Sequence, residues 1–66
     1  MSSLGEDFPK QQARCRELLS EYKAIGPMGA FGAAMIETTL RQADKAVMEN
    51  DLVAMIQLYE KMKGFE

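Results

Sequence analysis

Cys15 stands between Arg14 and Arg16, and a cation on each side is the setting that stabilises a thiolate and makes a cysteine reactive. The same residue shares a helical stripe with Leu18, Leu19 and Tyr22, which places it in a core as an inert thiol. Burial is the expected state. A second candidate is Gly26-x-x-Gly29-x-x-Gly32, because glycine-rich backbone ahead of a helix can offer free N–H groups to an anion. A phosphate loop needs a strand before it and Lys-Ser/Thr after it, and a dinucleotide loop needs another spacing. Gly26, Pro27, Gly29 and Gly32 therefore read as a structural turn. Met48, Met55 and Met62 recur every seven residues, and thioethers can bind copper(I). With no histidine and no second cysteine nearby, methionine reads instead as an adaptable filler of apolar space.

General acid–base catalysis also lacks its parts. Histidine is absent, no nucleophile and base stand at helical spacing, and the acidic pairs Glu17/Glu21 and Glu60/Glu66 fall on solvated faces. No catalytic, metal or cofactor-binding residue is expected, and the chain does not read as an enzyme. A single cysteine and no histidine also exclude an internal disulfide and an ordinary zinc site.

Charge limits the partners. The net charge is −2 and the basic residues Lys10, Arg14, Arg16, Lys23, Arg41 and Lys45 are scattered among acids, so no basic face forms for nucleic acid. A helix-turn-helix reading would make the second helix the DNA-contacting one, but Glu37, Asp44 and Glu49 share its exposed side with Arg41. No apolar run approaches the ~20 residues of a membrane span. Residues 1–7 show neither the basic nor the apolar region of a secretory signal, and with the lone thiol this points to a cytoplasmic setting.

The elements that position these residues are helical. Residues 1–6 read as a disordered tail and 7–66 as a single all-α domain, a small three-helix bundle with helices at about 8–25, 28–49 and 51–63. Asp7 is the expected cap of the first helix, with Pro9 in its first turn. Phe8, Cys15, Leu18, Leu19, Tyr22 and Ile25 form its apolar stripe. Gly26 suits a left-handed helix end, and Pro27 can open the second helix. That helix carries Gly29, Gly32 or Ala33, Ile36, Leu40, Ala43 and Val47 on one stripe, with Met28, Phe31 and Met35 expected to fill the space beside a close helix contact. At Glu49-Asn50-Asp51 the stripe changes phase, which predicts a tight turn with Asn50 ending one helix and Asp51 capping the next. A single bent helix from about 30 to 63 is the competing arrangement.

The third helix holds the candidate partner surface. Leu52, Met55, Ile56, Tyr59 and Met62 form a stripe that Leu58 and Phe65 widen to about half the circumference, with Val53 outside it. Val53, Leu58, Met62 and Phe65 are the expected partner-binding residues. A chain of 66 residues without disulfide or metal also has little core of its own, so a protein partner, first of all another copy, is expected.

Two resemblances follow from these segments. Residues 43–62, from Ala43-Asp44-Lys45 through Asp51-Leu52-Val53-Ala54 to Tyr59-Glu60-Lys61-Met62, resemble the helical hairpin of tetratricopeptide and pentatricopeptide repeats. Gly26 to Ile36, with Asp51, Met55 and Tyr59 downstream, is similar to small uncharacterised proteins of bacterial prophages, which implies a bacterial or phage origin. The expected function is a non-enzymatic protein-interaction module acting through apolar helix faces. The alternative is a DNA-associated regulator built on a helix-turn-helix-like hairpin.

Overall fold

A computed structural model describes residues 3–66 and shows the expected all-α arrangement: α1 (Leu4–Ile25), α2 (Ala30–Met48) and α3 (Leu52–Lys63), each packed on the other two. A 3₁₀ turn, Pro27–Gly29, leads into α2. Helices two and three are separate, so the single bent helix does not form.

α1 starts earlier than expected. Ser3, not Asp7, is the cap: its Oγ accepts from the N–H of Glu6, and its carbonyl accepts from Glu6 and Asp7. Ser3 and Glu6 have the Ser-x-x-Glu spacing that marks a helix start. Residues 4–6 are thus helical rather than a tail, while residues 1 and 2 lie outside the described residues. Pro9 sits inside the helix, where it lacks the N–H that would reach back one turn. Starting at Leu4 lets that side chain pack on the core beside fully buried Phe8.

Between α1 and α2 the chain turns at Gly26, whose φ of 88° and ψ of −146° lie outside the left-handed helical well, in a region close to glycine-only. Its N–H donates to the carbonyl of Lys23, and its own carbonyl accepts from Gly29. α2 proper then begins at Ala30, because Pro27 opens a 3₁₀ turn rather than the α-helix itself.

The second connection is a complete Schellman end. Asn50 has φ 54°, its N–H donates to Val47, and the N–H of Asp51 donates to Ala46. Asp51 then turns donor into acceptor: its carboxylate takes the N–H of Ala54 and so caps α3. One residue closes α2 and opens α3, as the change of apolar phase indicated.

The core comprises Phe8, Cys15, Ala33, Ile36, Leu40, Ala43, Ala46, Met55 and Met62. Thr39 is buried with them and donates its hydroxyl to the carbonyl of Met35. Four expected stripe members are instead exposed: Ile25 and Val47 at the ends of α1 and α2, and Leu52 and Ile56 on α3. Gln12 is buried and donates to the Asp44 carboxylate, which also takes the guanidinium of Arg16, so Asp44 joins α1 to α2. An exposed ion pair such as Arg16–Asp44 contributes only about 0–1 kcal/mol.

Candidate interaction surfaces

Of the four residues expected to bind a partner, the structure leaves Val53 alone on an open surface, 67% exposed. Met62 is fully buried in the core, and Leu58 and Phe65 are half-buried against it. The reason is the rotation of α3: Met55 and Met62 point at the other helices, with Leu58 and Tyr59 on either flank. A half-circumference apolar arc does not reveal which part of it faces inward, and here its outward part is Leu52 and Ile56, with Val53 exposed beside them.

Arg14 ties down the end of α3. Its guanidinium donates to the carbonyl of Phe65 at 2.9 Å, just beyond the end of α3, and to that of Met62, which also accepts the backbone N–H of Phe65. Tyr22 adds a hydroxyl that donates to the carbonyl of Glu66. Arg14 therefore helps to hold the C-terminal segment rather than to activate the neighbouring thiol. Cys15 is fully buried, as expected, and desolvation pushes its pKa above the ordinary value despite opposition from Arg14 and Arg16. Its S–H faces the carbonyl of Met62 at 3.8 Å.

Two apolar clusters reach the surface. At the α2–α3 turn, Val47, Met48, Leu52, Val53 and Ile56 are all exposed, Met48 to 86%. At the start of α2, Met28 and Phe31 are 91% and 79% exposed and Met35 is partly so, instead of filling the helix contact. That contact is made by Tyr22, which lies against Gly29 and Gly32 on another side of α2. Met28, Phe31 and Met35 thus stand on the flank turned away from the contact they were expected to fill.

The methionines with seven-residue spacing do not converge. Met48 ends α2 in the open while Met55 and Met62 are in the core, because the break at Asn50 ends the continuous helix that would align them. Among the described residues no group of three or more His, Cys, Asp or Glu side chains comes close enough to hold a metal ion. No helix among them is long and apolar enough to cross a membrane.

A shallow groove runs between α2 and α3 with no α1 residue in its walls. One part, about 450 Å³, lies near Ala46, Ala54 and Leu58, and a second, about 240 Å³, lies near Phe31 and Met35; Lys61 borders both. Comparison with known proteins finds no family model, no curated protein and no solved structure that matches this chain.

Proposed function

We propose that this chain is a non-enzymatic protein-interaction module that works through exposed apolar helix surface and associates first with a second copy of itself. The observation that carries this reading is the cluster at the α2–α3 turn, where five large apolar side chains stand exposed within residues 47–56. Scattered exposed hydrophobes need no explanation, but five large ones gathered within ten residues at one turn of a small domain favour a contact surface. The turn that presents them is rigid, being fixed by the Asn50 conformation and the Asp51 cap. Pre-ordering of that kind reduces the entropy lost on association.

A stable interface covers about 800 Å² on each partner, and five side chains supply only part of it. Self-association through this surface alone is accordingly of the weak, transient kind. A cytoplasmic setting and a bacterial or phage origin belong to the same proposal and rest on the sequence alone. Sedimentation at rising concentration, with Leu52→Glu and Val53→Glu as the disrupting pair, tests the reading.

A further inference from the structure

α3 has 12 residues against 19 in α2 and runs back antiparallel from the turn, so it ends short of the first turns of α2, where residues 64–66 pass beside Gly32, Met35 and Ile36 and the opposite flank stays open. The result is the smaller part of the groove, walled by Phe31, Ala34, Met35, Thr38 and Lys61. Four walls are apolar or neutral, and the single charge is a lysine. From there the groove continues past Gln42 and Lys45. The ion pairs among the described residues are Arg16–Asp44 and Lys63–Glu60, so neither Lys61 nor Lys45 has a carboxylate within pairing distance. Acids border the groove only at its turn end, as Glu49 and Asp51, and the Asp51 carboxylate is engaged with the Ala54 N–H.

We propose that this groove takes an acidic amphipathic helix of a different protein. An apolar side chain of that helix seats between Phe31 and Met35, a neighbouring carboxylate meets the Lys61 ammonium, and a later one meets Lys45. Met28, Phe31 and Met35 are spaced i, i+3, i+7, the register in which one helix face meets another. Charge selects the occupant. A second copy laid over this depression about a two-fold axis would set Lys61 against Lys61, whereas an acidic helix brings the complementary sign. The proposal rests on the reading of the chain as an interaction module but uses a different face from the turn cluster.

The test is a titration of the isotopically labelled chain with an end-blocked synthetic peptide of about 18 residues, long enough to form helix, with leucines at i, i+3, i+4 and i+7 flanked by glutamates. An analogue with lysine in place of every glutamate is the control. The amide resonances of Phe31, Met35, Thr38 and Lys61 should shift, and the acidic peptide should bind about tenfold more tightly than its analogue. Lys61→Glu, an exposed change that should leave circular dichroism unaltered, should weaken binding about fivefold or more. Equal binding of both peptides, or unchanged affinity of Lys61→Glu, overturns the proposal. Shifts confined to residues 47–56 also overturn it, while supporting the interaction reading. Absence of binding by a chain that still self-associates in sedimentation likewise rejects the groove and leaves that reading standing.

Discussion

The ring of Tyr22 occupies the space that a β-carbon on Gly32 would need, with Cδ2 and Cε2 directly in its path. One turn earlier, the backbone carbonyl of Tyr22 blocks a β-carbon on Gly29 in the same way. Tyr22 also donates its hydroxyl to Glu66. A single residue on α1, through its backbone and its ring, thus lies against α2 at its closest approach and bonds the C-terminal segment.

Gly26 and Gly29 in the turn, and Gly32, which lies inside the first turn of α2 rather than in the expected structural turn, should therefore differ in cost. Gly29→Ala meets backbone, which cannot step aside, and is expected to lose about 3 kcal/mol or more. Gly32→Ala meets a ring that can rotate, at about 1–3 kcal/mol. Gly26→Ala enters open space but must hold a φ of 88°, a strain of about 1–3 kcal/mol. Urea unfolding of the three variants checks the order, and a neutral Gly29→Ala would contradict the described crossing.

Arg14→Met keeps the aliphatic stem and removes the donors to Met62 and Phe65. The expected loss is about 1–3 kcal/mol, because carbonyls at a half-buried helix end lose charged partners. Hydrogen exchange should quicken in α3 before it does in α1. Uniform quickening along the chain would mean that Arg14 does not act on α3 in particular.

At the second turn, Asp51→Ala removes the acceptor for Ala54 and should cost about 1 kcal/mol. Asn50→Gly should be neutral or stabilising, since the positive φ suits glycine, whereas Asn50→Val should destabilise. Thermal unfolding distinguishes the three. A harmless Asn50→Val would show that the residue does not hold a left-handed conformation in solution.

Much of this architecture was legible in the sequence, and the failures have physical causes. The turn at Asn50-Asp51 showed itself through a phase change and two residues with matching preferences, and Gly26 through the φ that only glycine takes easily. The start of α1 was missed because Pro9 outweighed Ser3 and Glu6, although their spacing was visible. Which arc of α3 faces inward was not legible: it depends on contacts between distant parts of the chain, the burial of Met55 and Met62 against α1 and α2 and the reach of Arg14 to the carbonyls of Met62 and Phe65, across 48 and 51 positions. Phe31 stays outside because Tyr22 packs against Gly29 and Gly32 on another side of α2.

Cys15 should react with a thiol reagent far more slowly in the native state than in denaturant, given its burial and raised pKa. An acid whose pKa is raised by folding stabilises the fold below its ordinary value, near 9.0, and that contribution is lost as pH rises through the higher folded value. The parent should accordingly lose more stability than Cys15→Ala on going to strongly alkaline pH. Rapid native labelling would contradict the burial.

The central claim, that the exposed α2–α3 turn cluster is a contact surface between copies, is tested most directly by sedimentation equilibrium up to high micromolar concentration. The parent should show an average mass rising above 7.4 kDa toward the dimer. Leu52→Glu with Val53→Glu should return it to the monomer while helical circular dichroism is kept, because both side chains are exposed in the single chain. A parent that stays monomeric throughout, or a double variant that associates as the parent does, would contradict the account.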